Sequence, residues 1–159
     1  MTTNLRIINH VGDQPCGMDK INRIRERAHD LYSVNNRDAI LKPLIVSDDD
    51  LKELYAFELC DSNGNVLSAM TCEQLPLRKD LAIVTWAYTE TKNRNQGYCN
   101  KLLDHAVTYF SRLNIKLVLV ECKSIDCDSQ QFWAQKGFVN GIATEDPTVV
   151  YLCSNIEAL

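Results

Sequence analysis

The alternation of apolar and polar positions predicts strands and helices in succession along most of the chain. Leu81-Ala82-Ile83-Val84-Thr85-Trp86-Ala87-Tyr88 is apolar at both alternating sets of positions, the pattern of a central strand buried on two sides. A polar stretch, Thr89 to Gly97, comes next. Tyr98, Leu102, Leu103, Ala106, Val107, Phe110 and Leu113 then recur at helical intervals, with Asn100, Lys101, Asp104 and Ser111 on the other faces. A buried strand that feeds a glycine-bearing loop into a helix start aims backbone N–H groups and the positive end of the helix dipole at one point. Such a point suits an anion, phosphate above all.

The flanking segments follow the same logic. Leu5 to Val11 reads as a first strand, broken by Gly12-Asp13-Gln14-Pro15. Met18 to Val34 carries Ile21, Ile24, Ala28, Leu31 and Tyr32 at helical spacing and stops at Asn35-Asn36. A short second helix, Asp38 to Leu41, ends before Pro43, and Ser47-Asp48-Asp49-Asp50 makes an exposed acidic turn. Leu51 to Cys60 and Val66 to Leu75 are strand-like runs whose connection contains Asn63-Gly64, a hairpin signal. Lys116 to Cys122 supplies a second apolar strand, and strand–helix–strand at this spacing implies a parallel pair with a right-handed crossover. Asp126 to Lys136 reads as a helix with Gly137 at its end. Phe138 to Ile142 and Thr148 to Cys153 form a last hairpin around Asp146-Pro147. The order is β-α-α-β-β-β-α-β-α-β-β, an α/β mixed sheet with helices on both faces in a single domain, residues 1–159.

Charge and cysteine usage narrow the function classes. A net charge of −4 over 159 residues argues against a general nucleic-acid binder and suits a cationic substrate such as an amine. The locally basic stretch Lys20 to Arg27 reads as one solvated helix face. No apolar run approaches a membrane span, and the N-terminus carries no signal-peptide pattern. The seven cysteines include no C-x-x-C pair, so no metal cage is expected, and thiols scattered through apolar strands point to a reducing cytoplasm.

Two motifs carry a resemblance. Arg94-Asn95-Gln96-Gly97-Tyr98-Cys99 resembles the R/Q-x-x-G-x-G/A loop of the GNAT superfamily of acyl-CoA-dependent N-acyltransferases, and Phe132-Trp133-Ala134-Gln135-Lys136-Gly137-Phe138 resembles its F-Y-x-K-x-G-F signature. The resemblance covers nearly the whole chain. It implies acetyl-CoA as co-substrate and no metal. It further implies that Arg94, Asn95, Gln96, Gly97, Tyr98, Cys99 and Asn100 hold the pyrophosphate, and that Ala87, Tyr88 and Thr89 pair with the pantetheine arm through main-chain bonds. Asp126 and Trp133 fall at further family positions, the first where many members carry Asn and the second where many carry Tyr. Cys99 departs from the usual small glycine or alanine. For Cys99 a packing role competes with a lowered thiol pKa at a helix start, and Asp126 can also serve as a helix cap.

Acyl transfer to an amine needs a base for the ammonium, polarisation of the thioester and a proton for the leaving thiolate. Members that acetylate histones carry a Glu where this chain has Ile83, and the Tyr acid of the second signature is Trp133, whose indole does not titrate. The remaining candidates are Glu121 after the parallel strand, Glu73 on the preceding strand, Glu90 at the loop entrance and Tyr88 as an acid. Glu121 leads, because strand ends at the switch point of a sheet border ligand clefts. Each also reads as a solvated or core residue. Three readings follow: an N-acetyltransferase acting on a primary amine of a small molecule, protein lysine or N-terminus; a CoA-binding regulatory module without catalysis; and a structural domain that binds no CoA. The first is the leading expectation, and the resemblance adds a homodimer through the last strands.

Overall fold

The computed structural model describes residues 4–32, 41, 44, 47–75, 77–143 and 145–159, with backbone alone for 140–143. The elements run β1 (Arg6–Val11), α1 (Gly17–Tyr32), β2 (Leu54–Cys60), β3 (Val66–Leu75), β4 (Arg78–Thr89), α2 (Tyr98–Arg112), β5 (Leu117–Lys123), α3 (Cys127–Gln135), β6 (Val139–Ala143) and β7 (Val149–Asn155). This is an α/β fold on a mixed sheet of seven strands, ordered β1-β2-β3-β4-β5-β7-β6. β4 and β5 are parallel, as the strand–helix–strand spacing predicts, whereas β5–β7 and β6–β7 are antiparallel.

The structure differs from the sequence reading at several element ends. The second strand starts at Leu54, because Asp48–Glu53 forms a 3₁₀ turn that takes up the acidic run. Leu113 lies past the end of α2 and is 40 % exposed, since Asn114 adopts a left-handed conformation (φ 61°) and turns the chain away. Tyr32 closes α1 with 49 % exposure instead of joining the inward stripe of Ile21, Ile24 and Ala28. The expected helix at Asp38–Leu41 falls, apart from Leu41, outside the described residues.

The chain packs as two compact units. The first comprises Met1–Cys72 and Trp86–Leu103. Its core joins Ile21, Ile24 and Ala28 of α1 to Leu54, Ala56, Ala69 and Tyr88 on the strands. Gly17 opens α1 because a Cβ there would collide with the Val11 carbonyl oxygen. Beneath the same helix Glu58 is buried on β2, its carboxylate 2.6 Å from His10 Nε2 on β1 and 3.9 Å from Lys20 Nζ. The β2–β3 turn carries Gly64 at φ 83°, and the Asp61 carboxylate accepts bonds from the Asn63 and Asn65 amides. The Asn-Gly signal therefore locates the hairpin correctly.

The second unit comprises Glu73–Thr85 and Asp104–Leu159. One sheet face collects Leu81, Ile83 and Leu119, flanked by Leu75, Leu117, Tyr151 and Cys153. Trp133 of α3 is buried edge-on between Phe132 and Phe138, at ring-centroid distances of 5.2 and 5.5 Å.

Candidate active site

The end of β4 and the start of α2 make the chemistry-bearing corner of the first unit. The parallel ladder runs from Leu81↔Leu117 to Val84↔Val120, while β4 itself continues to Thr89. Successive main-chain groups along a strand point to opposite edges. Glu90 N–H donates to Leu67 O and Ser68 Oγ donates to Tyr88 O, so these two residues address β3. Thr89 points the other way. Its N–H donates to Tyr32 Oη at 3.4 Å, and its carbonyl accepts from Arg94 Nε at 3.3 Å. Ala87, two residues back, turns its main chain to the same edge as Thr89.

Beyond Thr89 the chain makes a 3₁₀ turn, Thr91–Asn93, and then enters α2 through two left-handed residues, Asn95 (φ 63°) and Gly97 (φ 75°). The first backbone bond of α2 runs from Lys101 N–H to Gly97 O at 3.1 Å. The amides of Tyr98, Cys99 and Asn100 therefore precede the helical ladder and point out of its positive end. A Cβ on Gly97 would meet nothing within 4 Å, so the surface around it is open to a ligand. Arg94, Asn95, Gln96 and Gly97 are exposed, Cys99 is half-buried, and Tyr98 Oη donates to Gln96 Oε1 at 3.0 Å. Asn93 Nδ2 is out of reach of water and has no hydrogen-bond partner among the described residues.

Glu90 does not fit the role of base. Arg27 of α1 grips its carboxylate with both Nε and Nη2, at 2.8 and 2.7 Å. The hydrogen bond from Arg27 leads the causes that hold the carboxyl below the usual carboxylate range. Tyr88 of β4 lies in the core that packs against α1, and burial, before the charges of Glu90 and Glu58, pushes its phenol up to about 12. It stays protonated and cannot serve as a base.

In the second unit Glu121 stands opposite Tyr151 in the β5–β7 register. Its carboxyl is pushed up, first by loss of water over the sheet face and then by the like charges of Glu73 and Asp146. The side chain remains open to solvent on its outer side. The same surroundings raise the Tyr151 phenol, desolvation first and then Glu121 and Glu73. Tyr151 was not among the expected site residues; its cross-strand register opposite Glu121 is the feature that singles it out. Asp126 caps α3, accepting from Ser129 N–H at 3.0 Å, and Trp133 fills the space between two phenylalanines. Asp126 is thus engaged by α3, and Trp133 by Phe132 of α3 and by Phe138 beyond its end. Burial raises the Cys122 thiol, which makes it a poor nucleophile. Among the described residues no group of three or more His, Cys, Asp or Glu could hold a metal ion, and no helix is long and apolar enough to cross a membrane.

Compared with protein-family models and with curated proteins, the chain matches none. Solved structures give a different result. An acetyltransferase of the GNAT family from Staphylococcus aureus superposes with a TM-score of 0.66 at 11 % identity, over 96 % of this chain and 99 % of that one. The ribosomal-protein-S18-alanine N-acetyltransferase from Escherichia coli gives 0.65 at 13 % identity, over 98 % and 94 %. Ard1 from Thermoplasma volcanium gives 0.62 at 13 % identity, over 98 % of both chains. At these identities the likeness is one of fold.

Proposed function

We propose that this chain, which has the fold of the GNAT acetyltransferases, moves an acetyl group from acetyl-CoA to a primary amine. The observation that carries the reading is the corner at Thr89–Asn100. It combines an outward main-chain edge, a left-handed glycine with open space around it and a helix start facing the same loop. The residues fit the co-substrate. The amides from Arg94 to Asn100 would hold the pyrophosphate, with the Arg94 guanidinium adding charge, and Ala87 and Thr89 would pair with the pantetheine arm, whereas the Tyr88 main chain, expected to join them, faces β3 instead. Acetyl-CoA supplies an acyl group on a sulfur leaving group.

The chain's own part is to place the amine and remove its proton. Glu121 suits the second task, because a raised carboxyl is a stronger base than an ordinary glutamate. Tyr88, protonated at any physiological pH, is excluded as a base and left as a candidate acid. Positioning of the amine supplies much of the rate where dedicated acids are missing. Seven free thiols support a reducing, cytoplasmic setting.

A second reading, a CoA-binding module without catalysis, draws on Ile83 and Trp133, both of which are buried packing residues. Thiol release from acetyl-CoA across a broad amine panel, run beside a CoA thermal-shift titration, separates the two. Turnover with any amine supports the transferase, and a thermal shift without turnover supports the module. No shift and no turnover refutes both.

A further inference from the structure

We propose that Tyr32 and Arg94 form a latch over the main chain of Thr89, closed in the free protein and displaced when a pantetheine arm lies along that edge. The inference rests on the acetyl-CoA reading above. Three contacts within the first unit build it. Tyr32 Oη takes the Thr89 N–H at 3.4 Å, Arg94 Nε donates to Thr89 O at 3.3 Å, and the Arg94 guanidinium lies 5.3 Å from the Tyr32 ring centroid. Both main-chain groups that the ligand arm needs are thus occupied by side chains of the protein.

The latch is built to open. Both bonds are longer than the roughly 2.9 Å typical of N–H···O pairs, so a better-placed amide or carbonyl wins the exchange. Tyr32 is 49 % exposed, so little packing holds its ring. Five positions earlier on α1, Arg27 grips Glu90 with two short charge-assisted bonds of 2.8 and 2.7 Å. That fork fixes α1 to the end of β4, while the Tyr32 contact is the loose tie of the two. Rotation of one phenol then exposes Thr89 N–H and takes away the ring beneath Arg94. Release of the Thr89 carbonyl frees the guanidinium for an anion. Opening the edge and arming the phosphate loop are therefore one event.

The test compares wild type, Tyr32→Phe and Tyr32→Ala by isothermal titration with CoA and with 3′-phospho-ADP, the nucleotide half that lacks the pantetheine arm. Removing one weak tie in Tyr32→Phe should tighten CoA by about two- to five-fold and tighten the nucleotide by less, since the nucleotide gains from the freed Arg94 but not from the Thr89 edge. Tyr32→Ala, which also removes the ring beneath Arg94, should tighten CoA further. CoA binding that is equal or weaker in Tyr32→Phe, with nucleotide binding intact, overturns the latch and leaves the acetyl-CoA reading standing. Absence of binding by both ligands to all three proteins overturns that reading and the latch with it.

Discussion

Gly97→Ala separates the backbone requirement of the proposed phosphate loop from everything around it. Gly97 sits at φ 75°, and a Cβ there would meet nothing within 4 Å, so alanine introduces no collision. What it introduces is left-handed strain, about 1–2 kcal/mol for a residue with a Cβ. The loop can bear that strain in the free protein, which appears as lost stability. It can instead relax to a right-handed conformation, and binding must then restore the original shape, which appears as lost affinity. The two losses are linked by a thermodynamic cycle. Alanine also narrows the unfolded ensemble, worth about 0.4–1 kcal/mol in the opposite sense. The loss in unfolding free energy plus the loss in CoA binding free energy should therefore total about 1 kcal/mol, however it is divided. Gly97→Asn should show a smaller total, because asparagine tolerates this region, as Asn95 does two residues earlier at φ 63°. Urea unfolding and isothermal titration with CoA measure the two parts. A total indistinguishable from zero for alanine, or equal totals for alanine and asparagine, would refute the assigned role of this backbone.

Three further outcomes follow from the geometry. Trp133→Ala should lose about 3–5 kcal/mol of stability, since it empties the space between Phe132 and Phe138. Trp133→Phe should lose far less and keep acetyl transfer; a folded Trp133→Phe protein without transfer would show that the indole does more than pack. Glu121→Gln should slow thiol release by about a hundredfold. In wild type the acid limb of the pH–rate profile should lie above the ordinary glutamate value of 4.5, because the carboxyl is raised, and the limb should vanish in the variant. An unchanged profile removes Glu121 from the role of base. Glu90→Gln tests the Arg27 fork through pH. The folded carboxyl is depressed below 4.5, so the native state binds fewer protons than the unfolded chain there. The stabilisation is complete above that value and disappears as pH falls through the lower folded one. With Arg27 45 % exposed, solvent screening limits the difference from wild type to about 1 kcal/mol at neutral pH. Denaturation curves across acid pH should show the gap closing; a gap that widens on acidification contradicts the linkage.

The sequence made the frame legible because periodicity and turn chemistry are local. Apolar alternation located β4 and β5, Asn63-Gly64 located a hairpin, and Gly97 marked the loop that α2 begins from. The misses have physical causes. Apolar spacing drew Leu51 into a strand, yet the acidic residues before it favour a 3₁₀ turn over Asp48–Glu53. Tyr32 fits the inward stripe by spacing alone, but at the end of a helix a side chain can swing to a polar partner, here the Thr89 amide. The Arg27–Glu90 fork joins residues 63 positions apart and leaves no local trace. Tyr151 became visible only through its register opposite Glu121.

Thr89 offers its partners a peptide unit, and a peptide unit is common to every amino acid. Such a position accepts almost any residue except proline, which has no N–H to give. The corner can therefore keep its geometry through wholesale replacement of its side chains. A chain superposing on acetyltransferases at 11–13 % identity shows how one scaffold can hold its shape under a different spelling.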